Sequence, residues 1–96
     1  MRIDDTPRVS LTWEQFRQAL ANFGFEFSES KNAQMYVEPT SQTVLLFPLR
    51  EATAPVELHH LLMARENTTA KGVTDKATFD TALYQHASLL SKQLVT

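Results

Sequence analysis

Between Leu11 and Gly24 the chain spells out both ends of a helix. Thr12-Trp13-Glu14-Gln15 is a capping box, in which the threonine hydroxyl and the glutamine side chain each satisfy one orphan amide. Leu11 and Phe16 occupy the two positions of a hydrophobic staple. Trp13, Phe16, Leu20 and Phe23 recur at three- and four-residue steps and so form one apolar stripe. Gly24 follows where a left-handed C-terminal residue is wanted. These signals predict a helix over 13–23.

The pattern then changes period. Phe25-Glu26-Phe27-Ser28 alternates apolar and polar, as a half-buried strand does. After the turn Glu29-Ser30-Lys31-Asn32, a second strand runs from Ala33 to Glu38. Its alternation sets Met35 and Val37 on one face and Gln34, Tyr36 and Glu38 on the other. Pro39-Thr40-Ser41-Gln42 turns the chain into a third strand, Thr43 to Phe47, ended by Pro48. Its unbroken apolar character suits a central or doubly covered position. Two short turns between consecutive strands make an antiparallel meander the default.

A loop over 49–54 leads to a second helix expected to begin near Pro55, since proline fits a first helical turn. Leu58, Leu61, Leu62 and Arg65 define its expected inner face. Gly72 closes that region, and Thr74 is the expected cap of a third helix from Asp75 to about Leu94. Phe79, Ala82, Leu83, His86 and Leu90 supply its stripe. The fold class is therefore α+β: a helix, a three-stranded antiparallel meander and two helices packed on one sheet face. Residues 1–10 read as an extended N-terminal segment and 11–96 as one domain.

Composition narrows the function. Ninety-six residues bury about two-thirds of their unfolded surface, enough for one small core. The chain has no cysteine, which excludes disulfides, thiol nucleophiles and cysteine–zinc sites. The longest apolar run, Val44 to Leu49, is far short of the ~20 residues of a membrane span, and the N-terminus has no apolar stretch. A cytoplasmic protein without a membrane partner is the expectation. The net charge is −2, and the nine basic residues are scattered singly, unlike a strong nucleic-acid binder. Two glycines in the whole chain exclude glycine-rich phosphate cradles, and no cofactor is expected.

Several landmarks resemble one family. Leu11-Thr12-Trp13-Glu14-Gln15-Phe16 through Gly24-Phe25-Glu26-Phe27 is similar to the start of HicA-type toxins, where a helix ends in a Gly-Phe-Glu step into the first strand. Met35-Tyr36-Val37-Glu38-Pro39 resembles that family's second strand and turn proline, and Val44-Leu45-Leu46-Phe47-Pro48 its third strand. Gly72-Val73-Thr74 followed by Phe79 resembles the entry to its last helix. The similarity covers roughly residues 11–85. It implies a small fold like that of double-stranded-RNA-binding domains, an antitoxin protein partner, and metal-independent cleavage of messenger RNA by a histidine in a Gly-Ser-His motif opening strand two. Here Lys31-Asn32-Ala33 stands on that motif, so Ala33 holds the histidine position. Alanine cannot move a proton. The resemblance therefore implies a divergent, non-catalytic relative that binds RNA or a protein.

Few side chains remain for chemistry. His59 and His60 are the weak catalytic candidates, as imidazoles titrate near neutral pH. Neighbours on a helix point about 100° apart, which suggests one solvent-facing ring and one packed ring. Glu57 and His60 share a helix face at i and i+3, but the pattern is not repeated, so no metal site is expected. His86 falls on an apolar stripe and reads as a core-edge residue. Tyr36, placed opposite Met35 and Val37, is the leading candidate for an exposed contact residue, flanked by Lys31, Asn32 and Arg50 on loops at the strand ends. Two binding readings follow: a HicA-like domain for RNA or an antitoxin-like protein, and an interaction module that forms a homodimer through an open sheet face. A ribonuclease using His59 or His60 is the remaining alternative.

Overall fold

The computed structural model describes residues 10–95, and of 88–95 the backbone alone. The expected extended segment at 1–10 thus lies outside the described residues except for Ser10. The chain runs α1 (Trp13–Ala21), β1 (Glu26–Glu29), β2 (Ala33–Glu38), β3 (Thr43–Pro48), α2 (Leu58–Ala70) and α3 (Lys76–Val95). The strands form one antiparallel sheet in the order β1-β2-β3, so the fold is α+β with a meander.

The first helix begins where its capping box places it. Its amide ledger closes completely. Thr12 N–H donates to Gln15 Oε1 at 2.9 Å, and Gln15 N–H donates to Thr12 Oγ1 at 3.2 Å. The two amides between them are satisfied from a distant loop: Trp13 N–H donates to the Ala54 carbonyl and Glu14 N–H to the Ala52 carbonyl, each at 3.0 Å. Val56 N–H returns a bond to the Leu11 carbonyl at 2.8 Å, and Thr12 pairs with Pro55 as an isolated antiparallel bridge. Pro55 therefore belongs to an extended segment clasped to α1, not to a helical turn. The second helix starts three residues later, at Leu58, with Glu57 as its N-cap residue.

At its other end α1 stops at Ala21, two residues earlier than the stripe suggests. Gly24 takes φ 93°, and Phe25 N–H turns back to the Leu20 carbonyl at 3.2 Å. The left-handed step sends Phe25 into the core.

The register decides which sheet face is inside. Phe27, Tyr36 and Leu45 form one cross-strand row, with Gln34 and Phe47 on one side of it and Glu38 and Thr43 on the other. Tyr36, Leu45 and Phe47 are buried, and Phe27 packs against the core. The expected faces of β2 are thus inverted: Tyr36 is inside, while Met35 is outside. Aromatic area explains the choice. Tyr36 meets Phe16, Phe27 and Phe47 at centroid distances of 6.4, 5.1 and 5.8 Å, and Trp13 meets Phe47 at 5.3 Å. Aromatic rings bury roughly 150–250 Å² each, more than Met or Val can offer. The polar residues on this face are paired: Tyr36 Oη donates to Gln34 Oε1 at 2.8 Å, and Gln34 Nε2 donates to the Pro48 carbonyl at 3.0 Å. Burial raises the Tyr36 pKa, the Arg17 guanidinium opposes the rise, and Glu29 adds to it.

Both turns are pinned by side chains. Ser30 Oγ accepts the Asn32 and Ala33 amides at 3.3 and 3.1 Å. The Glu38 carboxylate accepts the Thr40 amide at 3.1 Å, the Ser41 amide at 2.7 Å and the Ser41 hydroxyl.

In α2 the buried residues are His60, Leu61, Ala64, Arg65 and Thr68. Leu58, expected inside, is exposed. Arg65 is buried because Asp80 of α3 meets it: Nη2 to Oδ2 is 3.1 Å. The third helix is capped by Asp75 rather than Thr74, with Thr78 N–H donating to Asp75 Oδ1 at 2.7 Å. Helix α1 packs beside β1 and α2 on β3, and α3 lies against α1 and α2. Phe23 stacks on Phe79 at 5.9 Å between α1 and α3. No described helix is long and apolar enough to cross a membrane.

Candidate functional site

The helices cover one side of the sheet, and the outer side carries the other half of each strand's alternation. Met35 lies opposite Leu46, and Val37 opposite Val44. Met35 is 38% exposed, Val44 51% and Leu46 57%, with Val37 half-buried between them. Three large exposed hydrophobics on adjacent positions make a contiguous apolar patch on a rigid surface. The expectation that Tyr36 is exposed sets Met35 and Val37 on the opposite face, and so does not anticipate the patch.

Of the residues expected to make contacts, Tyr36 is fully buried and has no part in any surface. Lys31, Asn32 and Arg50 are exposed, and the Ala33–Pro48 pairing brings their loops to one end of the sheet. That end is mixed in charge. A shallow groove there is lined by Glu29, Leu49, Arg50, Glu51 and Ala54. Arg17 of α1 is half-buried, its guanidinium carbon 3.9 Å from the Phe27 ring centroid. Ala33 opens β2 and is half-buried.

The two adjacent histidines begin α2 and have different surroundings. His59 faces solvent. His60 is buried against Trp13 and Phe47, at centroid distances of 5.6 and 5.3 Å. The two imidazoles nonetheless approach to 4.0 Å between centroids, tilted by 45°. Glu57 joins them: its Oε1 lies 3.4 Å from His60 Nδ1, 3.8 Å from His59 Nε2 and 4.0 Å from Arg50 Nη2. Burial pushes the His60 pKa down, His59 and Arg50 push the same way, and Glu57 opposes them. His60 is therefore neutral at neutral pH. His86 is half-buried, with Nε2 3.0 Å from Asn22 Nδ2.

No family model, no curated protein and no solved structure matches this chain.

Proposed function

We propose that the chain is a non-catalytic interaction domain that works through the outer face of its sheet, and that its partner there is a second copy of itself. The observation that carries this reading is the exposed apolar patch of Met35, Val44 and Leu46. A two-fold axis through such a patch sets it against its own copy, the self-complementary arrangement of most homodimers. The HicA-like landmarks support the non-catalytic part, because Ala33 occupies the position of the family's reactive histidine. RNA is a poorer occupant of this face. The patch is apolar, and Lys31 and Arg50 share their end of the sheet with Glu29 and Glu51.

Three part-exposed side chains cover far less than the about 800 Å² per partner of a standard interface. Association costs about 4–15 kcal/mol before any surplus shows as affinity, and so small an apolar contact leaves little surplus. The dimer is accordingly weak. Sedimentation velocity from about 10 µM to about 1 mM covers the relevant range. The wild type should self-associate with rising concentration, and Leu46→Glu should remain monomeric with an unchanged fold. A strict monomer throughout would overturn the reading. Salt-sensitive binding of uncleaved RNA by such a monomer would put the HicA-like RNA-binding alternative in its place.

A further inference from the structure

We propose that Glu57, His59 and His60 form a binding site for a divalent transition-metal ion of the zinc class. The site is independent of the sheet face. All three residues come from the N-cap and first turn of α2, so one short backbone segment sets their spacing. Their ligand atoms all lie within 4.8 Å of one another. Bonds of about 2.0–2.1 Å at a tetrahedral ion place donor atoms about 3.3 Å apart. The 3.4 Å between Glu57 Oε1 and His60 Nδ1 already matches that edge. The 3.8 Å from Glu57 Oε1 to His59 Nε2 needs a small closure, and His59 is 73% exposed and free to turn.

A second observation points to a ligand. His60 Nδ1 is buried and has no hydrogen-bond partner among the described residues, although its side chain is only 10% exposed. A buried polar atom without a partner calls for an explanation, and a bound ion supplies one. Trp13 and Phe47 hold the His60 ring, so Nδ1 is kept 3.4 Å from Glu57 Oε1 before any ion arrives. That carboxylate makes no capping bond to its helix and is available as a ligand. Two imidazoles and one carboxylate suit zinc and its neighbours rather than magnesium or calcium, which prefer oxygen donors. With three protein ligands, a water would complete a tetrahedral set. Arg50 is the opposing element. Its guanidinium stands 4.0 Å from Glu57 Oε1 and competes with the ion for it.

The competition gives the test a direction that general damage would not imitate. Zinc chloride is titrated calorimetrically into the full, tag-free chain, with emission from Trp13, the single tryptophan, followed in parallel. One ion should bind per chain and perturb the Trp13 emission. His59→Ala and Glu57→Gln, both at exposed side chains, should each weaken binding at least about tenfold. Arg50→Ala should tighten it. Magnesium chloride should give no binding. Absence of zinc binding, or binding that His59→Ala and Glu57→Gln leave unchanged, would overturn the proposal.

Discussion

Removing one oxygen atom, by Tyr36→Phe, tests the inverted sheet directly. Tyr36 is fully buried, and its hydroxyl donates to Gln34 Oε1 at 2.8 Å. Gln34 is itself 1% exposed, and its amide nitrogen is committed to the Pro48 carbonyl. The phenylalanine ring keeps the packing against Phe16, Phe27 and Phe47. What is lost is the bond, and Gln34 Oε1 is left without this donor where water has little access. An unsatisfied buried acceptor costs about 1–3 kcal/mol, more than the net value of a typical hydrogen bond. At about 4–8 °C per kcal/mol for a domain of this size, the melting temperature should fall by roughly 5–20 °C. The assay is urea unfolding followed by circular dichroism at low protein concentration, where an unchanged slope keeps the comparison in one two-state frame. Met35→Ala is the control, because Met35 is on the outer face and should change stability by no more than about 0.5 kcal/mol. If Tyr36→Phe were neutral and Met35→Ala cost more than about 2 kcal/mol, the assigned faces of β2 would be wrong.

Two further perturbations probe the other buried polar groups. The Ser41 hydroxyl and amide, with the Thr40 amide, hold the Glu38 carboxyl below the usual carboxylate range against the opposing effect of burial. Because the folded pKa is depressed, this contribution is present above the unfolded value and is lost as the pH falls through the folded one. The melting-temperature gap between wild type and Glu38→Gln should therefore narrow from about pH 7 towards about pH 3, and a constant gap would refute the assignment. Asp80→Ala removes the carboxylate beside the buried Arg65 guanidinium and should cost about 3–5 kcal/mol in chemical denaturation, with Arg65→Met/Asp80→Leu recovering most of it. A loss below about 1 kcal/mol would mean that Asp80 contributes little to the burial of Arg65.

How much of this was legible depended on how local each signal was. The start of α1 is written in four consecutive residues, and the two turns of the meander are equally compact. Strand alternation gives a period but not a phase, and in β3 both phases, Leu45 with Phe47 and Val44 with Leu46, are apolar. Only pairing with β1 and β2 brought the aromatic rows together and turned Met35 outward. The same non-locality hid the clasp that takes Pro55 out of α2 and the ion pair that buries Arg65. At the histidines, the 100° step between helical neighbours correctly separates the two backbone directions. It does not anticipate that the rings and the N-cap carboxylate converge.

The clasp between residues 11–14 and 52–56 also bears on how the chain is made. Helix α1 leaves the ribosome before the sheet, but two of its N-terminal amides have no protein partner until Ala52 and Ala54 have been synthesised. At roughly 5–20 residues per second, the carbonyl of Ala52 follows the amide of Glu14 by about 2–8 s. The entire meander is translated within that interval. The nascent chain therefore spends seconds with its first helix half-anchored and its apolar strands already emerging, a window in which a second nascent chain or a chaperone could engage them.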